Sequence, residues 1–230
     1  MYYHGTGKDI AETIVLTQKM QPSIGNNHWL GDGYYFYAEA EYAFRWILIK
    51  YSKNFGNEYT EDYSKIFENY SILSAELNID TERLFSMENI NHKMIFLEAK
   101  NAICDKAQES EKYKKIIEEN GIVDGVVFNY LFNYEGYGEK YDAVKAVFPI
   151  SCAFDNSRIA YLPEQQICVK NNDIISNIQD YSREVPVDGY KDFMQKNNRI
   201  KHSLKSKSLS KYKKQKKGIN RPYNFFLKNF

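Results

Sequence analysis

The sequence predicts a mixed α+β domain rather than a regular doubly wound sheet. Short apolar stretches that read as strands occur near residues 1–4 and 34–37, and again at 142–149 and 164–169. Segments of helical spacing interrupt the early strands. At 230 residues with 43% apolar and 27% charged content, the chain can bury one sizeable core.

In order, Met1-Tyr2-Tyr3-His4 reads as a strand that Gly5 and Gly7 break. A helix follows, with Ile10, Ile14 and Val15 on one face. Pro22, Gly25, Asn26 and Asn27 mark a loop, and the aromatic run 34–37 after Gly31-Asp32-Gly33 reads as a strand. A second helix is predicted over 39–50, where Ala43, Trp46 and Ile47 form a stripe, and another over 59–77. Met94-Ile95-Phe96-Leu97 is a short strand candidate, and the charged stretch 105–120 reads as a surface helix ending before Gly121. Residues 124–130 read as a turn entering a buried strand.

Several function classes are excluded at this level. No stretch approaches the roughly 18 apolar residues of a membrane span. Lys8, Asp9 and Glu12 interrupt the opening apolar residues, against a secretory signal. Cys104, Cys152 and Cys168 have neither metal-ligand spacing nor an even count, so no metal is expected and a reducing cytoplasm fits. The formal charge of +1 conceals an asymmetry: residues 193–230 carry twelve Lys or Arg and no acid, leaving nineteen bases against thirty acids before them. The reading is a body over 1–175 and a basic appendage over 176–230.

Three segments carry chemistry. Tyr3-His4-Gly5-Thr6 and Gly33-Tyr34-Tyr35-Phe36 set an imidazole and a phenol on two glycine-framed strands, and Glu164-Gln165-Gln166-Ile167-Cys168-Val169 supplies a late carboxylate. Such a set suits a planar, phosphorylated ligand, with NAD as the candidate. Cleaving nicotinamide from ribose builds positive charge on the sugar, which a preorganised carboxylate stabilises. Taken singly, each residue also has an ordinary structural role as a satisfied histidine, a core aromatic or a paired carboxylate. Asp32 either shapes a turn or contacts ligand, Asp124-Gly125 reads as structural, and Cys168 as buried rather than nucleophilic.

In that order the three segments resemble the NAD-site segments of ADP-ribosyltransferases, in the His–Tyr–Glu branch that includes poly(ADP-ribose) polymerases and diphtheria-type toxins. The resemblance is strongest to compact bacterial or phage-associated toxins and spans roughly residues 1–170. It implies a split antiparallel sheet with flanking helices and NAD as donor substrate. It further implies that His4 contacts the adenosine-side ribose, Gly5 and Thr6 shape the adjoining backbone, Tyr35 stacks on the nicotinamide, and Trp29 to Gly33 approach the NAD site from the connecting loop, with Gly33 and Gln166 among the residues that bind NAD. The third segment departs from the branch pattern, because one register puts Gln165 at the catalytic position and another pairs Glu164 with Gln166. Glu164 and Gln166 share a face of an extended strand, which favours Glu164 as the carboxylate and Gln166 as its polar companion.

The expected activity is ADP-ribosyl transfer by a cytoplasmic toxin to RNA, DNA or a host protein, with an antitoxin as a further partner and no membrane. The basic tail suits phosphate contacts, and Tyr212 and Tyr223 offer limited stacking. The alternative is a catalytically weak NAD-binding or nucleic-acid interaction protein.

Overall fold

The computed structural model describes residues 1–25, 28–55, 64–109, 123–150 and 162–185, with positions 111, 114, 115 and 188 besides. The basic tail with Tyr212 and Tyr223, Cys152, Asn26, Asn27 and much of the 105–120 segment lie outside the described residues.

Strands β1 (Tyr2–Gly7), β2 (Tyr34–Tyr37), β3 (Tyr70–Leu77), β4 (Leu84–Ser86), β5 (Ala143–Ile150), β6 (Leu162–Val169) and β7 (Ile175–Asp180) build one seven-stranded sheet. Its order is β4-β5-β6-β2-β1-β3-β7. Every pairing is antiparallel except β4 with β5. The helices are α1 (Lys8–Thr17), α2 (Ala40–Phe55), α3 (Ser64–Asn69), α4 (Ile90–Gln108), α5 (Asp124–Tyr134) and the short α6 (Tyr137–Lys140). This is an α+β fold, a mostly antiparallel sheet with flanking helices.

Side-chain alternation divides the sheet into two faces. Phe36, Leu73, Ala75, Ile167 and Val169 point to one face, where Ala11 and Ile14 of α1 cover them. Cys168, Val144 and Ala146 point to the other, under Phe96 and Ala99 of α4 and Phe128 and Leu131 of α5. On this second face α2 lies across β1 and β3. It comes close because residue 5 is glycine: a Cβ there would stand 2.7 Å from Ile47 Cγ2 and 2.9 Å from the Ala43 carbonyl. Phe36, Phe44, Phe85 and Phe128 are wholly buried, each worth about 1.5–3 kcal/mol.

The sheet is thinnest between β1 and β2. They share the one register pair Tyr3↔Tyr37, against six pairs between β1 and β3. Across that seam the His4 Nδ1–H donates to the Tyr35 carbonyl at 2.8 Å, a side-chain bond where the ladder has lapsed.

The strands expected at 34–37, 142–149 and 164–169 and the helix over 39–50 are present, the helix running on to Phe55. Other expectations are corrected. Gly5 and Gly7 lie within β1 instead of breaking it, and α1 buries Ala11 and Ile14 while Ile10 is exposed. Residues 70–77 form β3, not a helix, because Tyr70–Ala75 are buried on both faces and show no alternation. Met94–Leu97 lies inside α4, which starts at the Asn89 side-chain cap on the Asn91 amide. Residues 124–134 form α5, where packing against β5, β6 and α4 overrides the strand preference of Val126 and Val127. The body also passes residue 175, since β7 pairs with β3 and the Ser182 hydroxyl accepts the Ile72 amide.

Candidate functional site

The three sequence segments fall on neighbouring strands β1, β2 and β6. Their side chains divide between the faces. Tyr35, Tyr37, Glu164, Gln166 and Cys168 share the face that carries α2, α4 and α5, with Tyr35 opposite Cys168 and Tyr37 opposite Gln166. His4 pairs with Leu73 on β3 and its ring meets Phe36, so it occupies the α1 face. Gln165 alternates away from Glu164 and Gln166, as strand period requires.

Glu164 is 2% exposed, and both oxygens are engaged. Oε2 accepts from Arg45 NH1 at 2.8 Å, while Oε1 accepts from the Gln166 side-chain amide. A buried carboxylate is tolerable only with such partners, because the loss of water otherwise costs several kcal/mol. Tyr37 stands beside this group; burial first and Glu164's charge second raise its phenol pKa, while Arg45 lowers it. On β5, Phe148 lies opposite Glu164 and carries the half-exposed Trp29 ring at 4.6 Å. The result is a fixed carboxylate and an arginine under an aromatic rim, a set able to stabilise positive charge on a ligand or orient its hydroxyls.

Arg45 was not signalled by any motif. Its one trace in the sequence is position: a cation set among Ala43, Phe44, Ile47 and Leu48, which are all buried. Its Nε and NH2 groups make no hydrogen bond among the described residues.

His4 is held neutral. Burial lowers its pKa, and the bond to the Tyr35 carbonyl opposes this only in part. A carbonyl can only accept, so the proton sits on Nδ1 and Nε2 keeps its lone pair. Thr6 is buried beside Ser71 on the same strand pair. Gly5 serves packing, since α2 fills the space its side chain would take.

The Gly31-Asp32-Gly33 loop is anchored from four sides. The Tyr35 hydroxyl donates to the Gly31 carbonyl at 2.6 Å and accepts the Leu30 amide at 3.0 Å. Burial raises that phenol's pKa, so it stays protonated as the bond to Gly31 needs. Asn129 Oδ1 accepts the Asp32 amide at 2.7 Å, and Lys170 Nζ donates to the Leu30 and Asp32 carbonyls. Asp32 Oδ1 accepts the Gly25 amide, which makes Asp32 a turn residue. Gly31 and Gly33 have φ of +76° and +151°. A Cβ would meet Asn129 Oδ1 or the Val169 carbonyl at 2.4 Å, so neither position admits a side chain. Cys168 is buried beneath the loop, with its thiol pKa raised by that burial. Gly33 lies at the opposite end of β2 and β6 from Glu164, beside a separate cavity of about 330 Å³.

Among the described residues no group of three His, Cys, Asp or Glu is placed to hold a metal ion, and no helix is long and apolar enough to cross a membrane. No protein-family model and no solved structure matches the chain. The chain is similar to the uncharacterized protein MJ0359 of Methanocaldococcus jannaschii, with 32% identity over 205 residues, 82% of this chain and 90% of that protein. With that identity sustained over most of both sequences, the chain belongs to the same family as this archaeal protein.

Proposed function

We propose that the chain cleaves the nicotinamide–ribose bond of NAD and transfers ADP-ribose to an intracellular nucleic acid, RNA foremost, or to a host protein, acting as a cytoplasmic toxin. The observation that carries this reading is the adjacency of β1, β2 and β6, which gathers three segments distant in sequence around one seam of the sheet. The side chains present suit the donor: a buried carboxylate, an arginine with spare donors, and the exposed Trp29 ring at the rim.

In this reading nicotinamide departs with the electron pair of the glycosidic bond and leaves as a neutral molecule. The ribose carbon then carries positive character, which Glu164 stabilises. An acceptor oxygen or nitrogen forms the new bond to that carbon and releases its proton to solvent. Arg45 and Gln166 hold Glu164 in place throughout, so no reorganisation is needed as charge develops. Tyr35 contributes its ring face to nicotinamide, its hydroxyl being committed to the loop. His4 lies on the opposite face of the sheet from Glu164, so its part in this reading is to hold the Tyr35 backbone across the seam. An acidic antitoxin is the partner expected for the basic tail.

One observation favours the alternative of a non-catalytic NAD-binding or nucleic-acid interaction protein: Arg45 already neutralises Glu164, and Gln166 occupies its other oxygen. The test is to supply NAD labelled in its adenylate part with RNA, DNA and cell proteins. Free nicotinamide and the location of the label are then measured. The expected result is nicotinamide release with label on one acceptor class. Glu164→Gln should lower turnover on the order of 100-fold or more while NAD still binds. NAD binding without any release would favour a non-catalytic NAD-binding protein; neither binding nor release would reject both NAD readings and leave nucleic-acid interaction alone.

A further inference from the structure

In the aromatic run of β2, three side chains have three different surroundings. Phe36 is 1% exposed in the core of the α1 face, where a ring without a polar atom fits. Tyr35 spends its hydroxyl on the loop, on Gly31 and Leu30. Tyr37 lies opposite Gln166 on the face that carries Glu164 and is 8% exposed. Its hydroxyl makes no hydrogen bond among the described residues. A buried hydroxyl without a partner costs stability, and native proteins keep such groups mainly where function uses them.

A second buried group beside it also has capacity to spare. Gln166 is 6% exposed and gives its side-chain N–H to Glu164, which leaves its Oε1 without a donor among the described residues. Each Glu164 oxygen accepts one bond and has a lone pair left for another. Burial and the charge of Glu164 raise the Tyr37 pKa, so its phenol keeps its proton and acts as a donor. The neighbourhood therefore offers one unused donor between unused acceptors. A hydroxyl answers both, accepting from Tyr37 and donating to a carboxylate or amide oxygen. A phosphate or carboxylate only accepts, and would bring negative charge against Glu164. An ammonium cannot accept the phenol proton.

We propose that Tyr37 is a ligand-contacting residue of the Glu164 cleft, donating to the 2′-hydroxyl of the nicotinamide ribose, which in turn donates to Glu164. This rests on the NAD reading above, in which Glu164 faces the ribose carbon that loses nicotinamide. The hydroxyl next to that carbon is the 2′-hydroxyl. Gln166 Oε1 stands as a further acceptor beside the pair. The consequence is a specificity: the cleft favours a donor that carries the 2′-hydroxyl over one that lacks it, because the deoxy ligand leaves the buried phenol still without a partner.

The experiment titrates the full chain and its Tyr37→Phe variant by calorimetry with two ligands that cannot be cleaved. One is carbocyclic NAD, in which a methylene replaces the oxygen of the nicotinamide ribose ring. The other is the same molecule without the 2′-hydroxyl on that ring. The parent should bind the first at least about tenfold more tightly, since two hydrogen bonds distinguish them. Tyr37→Phe should lose about fivefold on the first ligand, the loss of one hydrogen bond, and keep the parent's affinity for the second. Its Tm should equal or exceed the parent's, because the deleted hydroxyl bonds nothing described in the free protein. A lower Tm would show the hydroxyl already engaged in a structural bond and overturn the proposal. Unchanged affinity in the variant, or equal losses on the two ligands, overturns the role of Tyr37 and leaves the NAD reading standing. No binding of either ligand by the parent overturns both together.

Discussion

At His4 the proton has a fixed address. Nδ1–H serves the Tyr35 carbonyl across the thin seam of the sheet, and burial disfavours a second proton on Nε2. The folded pKa therefore lies below the ordinary value of about 6.5. Above pH 6.5 both folded and unfolded chains hold a neutral imidazole, and stability is at its full value. Between 6.5 and the lowered folded value only the unfolded chain takes up the proton, so stability falls as pH drops, by up to about 1.4 kcal/mol per unit. His4→Gln keeps a donor for the carbonyl and does not titrate. Denaturant midpoints at pH 7.5 and 5.5 should show a larger acid loss in the parent than in this variant; equal losses would refute the assignment. At this scale the sequence was legible where spacing along one strand decides the answer. The pairing of Glu164 with Gln166 follows from a period of two. Arg45 stood 119 residues from its partner, and no local pattern encodes such a meeting.

Elements were legible where one face is buried and opaque where burial is complete. Helix α2 shows its period and lies where expected, while β2 is legible as an aromatic run framed by Gly31 and Gly33. Strand β3 is covered on both sides, so Tyr-Ser-Ile-Leu-Ser-Ala-Glu-Leu carries no alternation and its Ala, Glu and Leu suit a helix equally. The apolar run 94–97 poses the converse problem: four residues cannot tell a strand from one turn of a 19-residue helix. Gly125 has a structural role, and the geometry of α5 supplies the reason. At residue 125 a Cβ would fall 1.8 Å from the His28 carbonyl oxygen, the point where the helix passes under the braced loop. Gly125→Ala must therefore move either α5 or the loop. The expected cost is about 3 kcal/mol, a fall in Tm of roughly 6–12 °C. Gly7→Ala is the comparator, because the nearest atom to its Cβ is 3.9 Å away and φ is −65°. It should cost under about 1 kcal/mol. Thermal melts showing equal losses in the two variants would overturn the close-approach account.

Over the whole molecule, charge is segregated more sharply than structure requires. The first 192 residues carry thirty acids and nineteen bases, and the last 38 carry twelve bases and no acid. The sheet, its two cores and the Arg45–Glu164 pair are all complete by Val185. Among the described residues these elements draw on no position of the tail, and binding a polyanion would gain from the tail's charge directly. Each phosphate neutralised releases counterions, so affinity falls with salt at a log–log slope near 0.7 per contact on a single strand. Removing residues 196–230 takes away all twelve tail cations. Affinity for single-stranded RNA in low salt should drop at least about tenfold, with a visibly shallower salt slope. The melting temperature and the rate of NAD turnover in the absence of nucleic acid should stay at the parent's values. Filter binding over a salt series, run beside nicotinamide release, reads both quantities on one preparation. Unchanged RNA affinity and slope would remove the tail from recognition and leave the body to supply it. Loss of NAD turnover would show that the tail completes the donor site.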